Sequence, residues 1–176
     1  MPKALIGLFV STIFLVGCIS SADSQDDIKE TIYDETGIEI LIFEGYMVSA
    51  LAASTHPTDQ STYSELQVAY QKPGAIDSAF NSEDVTDHIQ DSTETGSYFT
   101  HVEDGGIVIS YRPQPADLQT YDETFQVLEK DIMMQKLNGL EAYTFNHQEQ
   151  NLTIFVPSGL YNQETIESII ELTLED

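Results

Sequence analysis

The sequence predicts an α+β fold: a mainly antiparallel sheet of about five to seven strands, with an N-terminal helix and a C-terminal helix packed on it. Three observations support this prediction. Asn138-Gly139 stands between two apolar runs and is typical of a two-residue hairpin turn. Beyond it, Ile166, Ile169 and Ile170 recur at helical spacing. The apolar content of 41% is enough for a packed core.

The residues that a turn at Asn138-Gly139 brings together match in charge and in apolar character. A four-residue loop over residues 147–150 then starts a third strand on the same apolar face. We expect the C-terminal helix to cover that face. The predicted pairs are Lys136 with Glu141, Met134 with Tyr143, Ile132 with Phe145, Leu152 with Phe145, and Ile154 with Tyr143.

The N-terminal part of the domain is predicted to be a short helix followed by a central strand. Ile28 and Ile32 lie four residues apart, acids occupy the first turn, and Gly37 is a typical helix end. Residues 38–43 are apolar at nearly every position, as in a strand that is covered on both faces. Residues 46–53 fit either a further strand or a helical turn.

The middle of the chain contains one clear strand and several weaker patterns. Apolar residues alternate with polar ones over residues 65–71, which predicts a strand with one buried face. Residues 55–62, which include a proline, are expected to be a loop. Residues 75–96 are expected to contain a helix that Asn81 or Ser82 caps.

A second hairpin is predicted over residues 98–111, because two alternating runs flank Asp104-Gly105-Gly106. The turn lies at the first or the second pair of these three residues, so Val102 faces either Ile107 or Ile109. In both registers Ile107, Ile109 and Tyr111 share one face, which we expect to be buried.

The N-terminus carries a basic residue, an apolar run and a lone cysteine in that order. Lys3 precedes apolar residues 4–16, which are too few to span a bilayer, and the run closes with Leu15-Val16-Gly17-Cys18. This order resembles a bacterial lipoprotein signal. The resemblance implies a diacylglyceryl group on Cys18 that holds the protein on the extracytoplasmic face of a bacterial membrane. An ordinary secretory signal or a buried apolar segment is the alternative.

The lipoprotein interpretation divides the chain into a signal peptide at residues 1–17, an acidic flexible tether at 18–27 and a single α+β domain at 28–176. Cys18 is the only cysteine, so lipidation would leave no thiol for a disulfide, a nucleophile or a metal. The domain must therefore be stabilised by packing.

The chain is strongly acidic, with 30 Asp and Glu against six Lys and Arg and a net charge of −24. Such a surface repels polyanions, so nucleic acid is excluded as a partner. The acids are spread along the chain, which favours adaptation of an exposed surface to high salt or high pH. A functional affinity for cations is the alternative explanation.

Few residues point to chemistry. The chain has no Gly-x-Ser-x-Gly motif, no two histidines at helical i, i+4 spacing and no cofactor-binding motif. If the acidic segment at residues 83–94 is helical, Asp84, Asp87 and Asp91 project from one side and offer oxygen ligands of the kind that Ca²⁺ takes. A solvated acidic face is the alternative interpretation.

The run Leu137-Asn138-Gly139-Leu140-Glu141-Ala142-Tyr143, with a further strand and a terminal helix behind it, is similar to small C-terminal modules of uncharacterised Gram-positive envelope lipoproteins and anti-sigma-factor-associated proteins. The resemblance implies a sheet face that is presented to a peptide or a lipid. We therefore expect a non-enzymatic binding or interaction module with a protein or peptide partner. The alternatives are an envelope hydrolase with an unrecognised site and a cation-binding acidic surface protein.

Overall fold

The computed structural model describes residues 24–56, 59–73, 81, 84, 85, 87, 89, 106–115 and 121–175. These residues form an α+β fold with one antiparallel sheet of seven strands, as the sequence predicts. The long elements are α1 (Gln25–Thr36), β1 (Met47–His56), β2 (Asp59–Gln71), β3 (Ile107–Arg112), β4 (Glu123–Val127), β5 (Lys130–Leu137), β6 (Leu140–His147), β7 (Gln150–Pro157) and α2 (Gln163–Glu175).

The strands follow the order β1-β2-β3-β7-β6-β5-β4, and every neighbouring pair is antiparallel. The sheet therefore joins an N-terminal group of three strands to a C-terminal meander of four through the pairing of β3 with β7. One face of the sheet packs with α1 and α2 into a single apolar core, and we call it the inner face. Ile28 and Ile32 of α1 and Ile166, Ile169 and Ile170 of α2 are buried in that core.

The two ends of the sheet carry different connections. Strands β1, β3, β4 and β6 begin at one end, where β2, β5 and β7 finish. We call it the α1 end, because the Val48 N–H donates to Oε1 of Gln25, the first residue of α1, over 2.7 Å. The opposite, distal end carries the tight turns Leu128-Glu129 and Gln148-Glu149.

Helix α1 is fixed at both of its ends. Ser24 and Asp27 form a reciprocal capping box, in which the Ser24 hydroxyl accepts the Asp27 N–H over 3.1 Å. Gly37 ends the helix with a left-handed φ of 70°, as the sequence predicts. Because Ser24 is the cap, the helix begins at Gln25, three residues before the predicted start of the domain at residue 28.

Residues 38–43 are not the central strand that their apolar character predicts. They form an irregular connection from α1 to β1, and Ile38, Ile40 and Phe43 are buried in the core. The backbone of Leu41 makes its hydrogen bonds with two tyrosine hydroxyls rather than with a neighbouring strand. These residues are buried because they pack on the inner face of the sheet. A buried irregular segment and a central strand give the same apolar pattern in the sequence.

The N-terminal strands correct two further predictions. Residues 46–53, which were ambiguous in sequence, belong largely to β1. The loop predicted at 55–62 is wrong in extent, because β1 reaches His56 and pairs there with Asp59 at the start of β2. The predicted strand at 65–71 is confirmed as the second half of β2, with Leu66, Val68 and Tyr70 buried.

Strand β3 is confirmed, with Ile107, Ile109 and Tyr111 buried on the inner face, but its predicted hairpin pairing is wrong. Ile109 pairs with Val68 of β2 on one side and with Ile154 of β7 on the other. Both edges of β3 are therefore occupied by strands that are distant in sequence. The first strand of the predicted hairpin, residues 98–103, lies outside the described residues.

The helix predicted within residues 75–96 is supported at the positions that the structure describes. The Asp84 N–H donates to the Asn81 side chain over 3.0 Å, and the Asn81 N–H donates to the Asp84 carboxylate over 2.9 Å. Asn81 is thus the cap that the sequence offered. Val85 and Ile89 are helical and buried.

The C-terminal hairpin has the predicted register. Gly139 takes a φ of 78° in the turn, and α2 covers the inner face of β5, β6 and β7 as expected. One strand break was not predicted: the chain turns at Leu128-Glu129, which separates β4 from β5. The confirmed pairs are Lys136 with Glu141, Met134 with Tyr143, Leu152 with Phe145, and Ile154 with Tyr143.

Candidate functional site

An open cleft of about 240 Å³ lies between the β4, β5 and β6 strands and the start of α2, at the α1 end of the inner face. We call it the aromatic cleft. Its lining combines three aromatic rings with a methionine and two carboxylates: Phe125, Tyr143, Tyr161, Met134, Glu123 and Glu141. A cleft of this size is small for a whole organic ligand and suits one side chain or a compact group.

The strand register brings one row of the cleft together. Glu123 of β4 lies opposite Met134 of β5, which in turn lies opposite Tyr143 of β6. Phe125, two residues after Glu123, meets the Tyr143 ring edge to face, with ring centres 6.1 Å apart and planes at 80°. The aromatic wall is therefore set by cross-strand pairing rather than by loop conformation.

The Tyr143 hydroxyl is tied to the acidic side of the cleft. It donates to Oε2 of Glu141 over 2.8 Å. Burial raises the pKa of Tyr143 well above its ordinary value, and the hydrogen bond to Glu141 and the charges of Glu141 and Glu123 raise it further. Tyr143 therefore stays protonated and acts as a hydrogen-bond donor to Glu141.

Tyr161 forms the opposite wall, immediately before α2. The Asn162 side chain caps the helix by accepting a hydrogen bond from the Thr165 N–H over 2.8 Å. This cap fixes the backbone next to Tyr161. The Tyr161 hydroxyl lies 3.4 Å from the hydroxyl of Tyr46, and burial followed by this contact raises the pKa of Tyr161. The Lys72 ammonium lies over the Tyr46 ring, 5.8 Å from the ring centre.

The charges around the aromatic cleft do not cancel. Lys136 lies opposite Glu141 in the β5–β6 register, so one carboxylate has a cation beside it on the neighbouring strand. Glu123 is the second carboxylate of the lining, so the cleft carries two carboxylates against the single cation of Lys136. Aromatic faces and carboxylates together favour a group with an apolar body and a positive tip.

The predicted site residues are only partly within the described region. Cys18 and Asp91 lie outside it. Asp84 spends one carboxylate oxygen on the Asn81 cap, and Asp87 is exposed. Over the part of the chain that the structure describes, no group of three or more His, Cys, Asp or Glu is arranged to hold a metal ion. The calcium site at Asp84, Asp87 and Asp91 therefore stays a prediction.

Two of the four histidines belong to described strands. His56 ends β1 and His147 ends β6, both at the distal end of the sheet and therefore away from the aromatic cleft. His88 and His101 lie outside the described residues. The described histidines thus take no part in the cleft.

A buried polar cluster on the opposite face of the sheet was not predicted. One oxygen of Glu65 accepts hydrogen bonds from the Ser110 hydroxyl, from the Gln67 amide over 3.1 Å and from the Arg112 guanidinium over 3.2 Å. The alternation in β2 indicated outward-facing polar residues, yet Glu65 is only 9% exposed. These three donors compensate the burial of a carboxylate, so we assign the cluster a structural role.

Comparison of the chain with family models, with curated proteins and with solved structures found no match. Among the described residues, no helix is long and apolar enough to cross a membrane. Function must therefore be inferred from the residues of this chain and their geometry.

Proposed function

We propose that this protein is a lipid-anchored extracytoplasmic binding module. The observation that carries the proposal is the lone Cys18 at the end of Leu15-Val16-Gly17-Cys18, after a basic residue and a short apolar run. Helix α1 is capped at Ser24, six residues after Cys18, so the folded domain would start close to its lipid. Two acyl chains hold a protein on a bilayer far longer than one.

The binding role rests on the aromatic cleft. Three rings and Met134 offer apolar contact to a ligand, while Glu123 and Glu141 offer negative charge at the rim. The net charge of −24 also attracts cations over the distances at which partners first meet. The ligand class that fits best is a basic side chain, Lys or Arg, of an extracytoplasmic peptide or protein.

Metabolic labelling with a fatty acid tests the anchor. Label should enter the wild-type protein and the control Ser20→Ala, and it should be lost in Cys18→Ala, because the thiol is the acceptor. Equal labelling of Cys18→Ala and wild type would overturn the proposal.

Calorimetric titration tests the cleft, with a pentapeptide that carries one Lys among Gly and Leu and a second peptide that carries Glu instead. The Lys peptide should bind more tightly, and Tyr161→Ala should weaken it. Tyr33→Ala is the matched control, because Tyr33 is 54% exposed on α1 and does not line the cleft. Equal binding of both peptides would contradict the proposed ligand class.

A further inference from the structure

The chain enters the domain at the α1 end of the sheet. Gln25, the first residue of α1, holds the start of β1 through the 2.7 Å hydrogen bond from the Val48 N–H. Ser24 is the sixth residue after Cys18, and six extended residues reach at most about 20 Å. A lipid on Cys18 would therefore keep the α1 end of the domain close to the bilayer.

Exposed leucines occur at this same end. Leu137 pairs with Leu140 across the β5–β6 turn, and Leu140 pairs with Pro157 at the end of β7. The Ser158 N–H donates to the Gly139 carbonyl over 2.9 Å, which joins that turn to the β7–α2 connection carrying Leu160. Leu137 is 40% exposed and Leu160 is 54% exposed. We call Leu137, Leu140, Pro157 and Leu160 the leucine edge.

The leucine edge is free of charge in a chain that is otherwise acidic. Residues 137–140 contain no charged side chain, and neither do residues 156–163. At the distal end, by contrast, the tight turns carry Glu129 and Glu149. Uncharged leucines can approach lipid without the cost of removing a carboxylate from water.

Two lysines also stand at the α1 end, because Lys72 follows β2 and Lys136 lies near the end of β5. Lysines near a bilayer surface favour contact with anionic headgroups. Acids are present at this end as well, in the first turn of α1 and at Glu123. A contact with lipid would therefore be confined to the leucine edge and would not extend over the whole α1 end of the domain.

We propose that the leucine edge docks on the membrane surface to which Cys18 is anchored. This inference rests on the proposed lipid anchor and adds an orientation to it: the α1 end faces the bilayer and the distal end points away. The strands of the C-terminal meander stand between the two ends, and the eight residues of β5 span about 25 Å. The distal turns would thus stand up to about that far from the lipid.

Site-specific fluorescence in phosphatidylcholine vesicles tests the orientation. Leu160→Cys and Leu128→Cys would each be introduced into the full, lipidated protein and labelled with the same small fluorophore. The Cys18 thiol is consumed by its lipid, so only the added cysteine reacts. The two positions are closely matched, since Leu160 is 54% exposed at the α1 end and Leu128 is 53% exposed at the distal end.

A nitroxide on the lipid acyl chains should quench the Leu160→Cys probe at least twofold more strongly than the Leu128→Cys probe. A second variant, Leu137→Glu combined with the Leu160→Cys probe, should reduce that quenching without changing fatty-acid incorporation. Circular dichroism would check that each variant is folded.

Equal quenching of the two probes on vesicle-bound protein would overturn the orientation and leave the anchor intact. Protection of the Leu160→Cys probe from aqueous iodide without quenching by lipid would also overturn it, since a protein would then cover the leucine edge. Protein that carries no lipid and does not float with the vesicles would overturn the anchor and the orientation together.

Discussion

The hydroxyl oxygens of Tyr70 and Tyr111 lie 2.8 Å apart within the core and together hold the backbone of Leu41. Tyr70 donates to the Leu41 carbonyl over 2.9 Å, and the Leu41 N–H donates to Tyr111 over 3.2 Å. Since each hydroxyl has a single proton, Tyr111 must donate to Tyr70, and the three hydrogen bonds close into a ring. This ring pairs the backbone groups of Leu41 where the irregular segment packs on the core.

Tyr70→Phe should destabilise the domain by about 1 to 3 kcal/mol, because it leaves the partly buried Leu41 carbonyl without this donor. Urea unfolding would measure the change. Tyr33→Phe is the control, since Tyr33 is 54% exposed and should change the free energy of unfolding by less than about 0.5 kcal/mol. Equal effects of the two substitutions would show that the ring does not stabilise the fold.

Stability should fall as the pH rises above about 10. Full burial raises the pKa of Tyr70 well above the ordinary tyrosine value of 10.0, and its contact with Tyr111 raises it further. Up to about pH 10, Tyr70 is protonated in both the folded and the unfolded protein. Above that pH it ionises only in the unfolded protein, and this ionisation stabilises the unfolded state. In Tyr70→Phe the free energy of unfolding should therefore fall less steeply with pH, by up to about 1.4 kcal/mol per pH unit. Urea unfolding from pH 9 to 11 would measure the two slopes. Parallel curves for the two proteins would contradict this assignment.

Ile169→Ala should cost about 2 to 5 kcal/mol, because Ile169 is buried between α2 and the inner face of the sheet. Leu172→Ala on the same helix is the matched control: Leu172 is 53% exposed and its loss should cost less than about 1 kcal/mol. Thermal or urea unfolding would compare the two. A cost for Leu172→Ala as large as that for Ile169→Ala would contradict the packing of α2.

Glu129→Gly should stabilise the domain by about 1 kcal/mol. Glu129 has a φ of 64° in the β4–β5 turn, a left-handed conformation that glycine adopts without the steric cost of a Cβ atom. Glu149→Gly removes the same charge from the other distal turn, at a residue whose own φ is not positive, and should be neutral or destabilising. Comparison of their melting temperatures separates backbone strain from charge, and a gain for both variants alike would identify charge as the cause.

The C-terminal hairpin and α2 were predictable because their determinants are local. Asn138-Gly139 specifies the turn, and the match of Lys136 with Glu141 specifies the register within a few residues of it. The left-handed turn at Leu128-Glu129 has no such signature, since neither residue is a glycine or an asparagine. The break between β4 and β5 was therefore missed.

Features that depend on distant residues were not predictable from the sequence pattern. Residues 38–43 resemble a central strand because burial on two sides gives the same apolar run in either structure. The tyrosines that replace a neighbouring strand lie 29 and 70 positions away from Leu41. The aromatic cleft was missed for a similar reason: Phe125 meets Tyr143 only after β4 and β5 pair through the unrecognised turn, and Tyr161 joins the lining from the distant β7–α2 connection.

The proposed lipid on Cys18 can be detected by intact-mass measurement of the mature protein purified from bacterial membranes. We expect a chain that starts at Cys18 and carries the added mass of a diacylglyceryl group, which lipase or alkaline treatment would remove in part as free fatty acids. A mature chain that keeps residues 1–17, or one that starts elsewhere and carries no lipid, would contradict it.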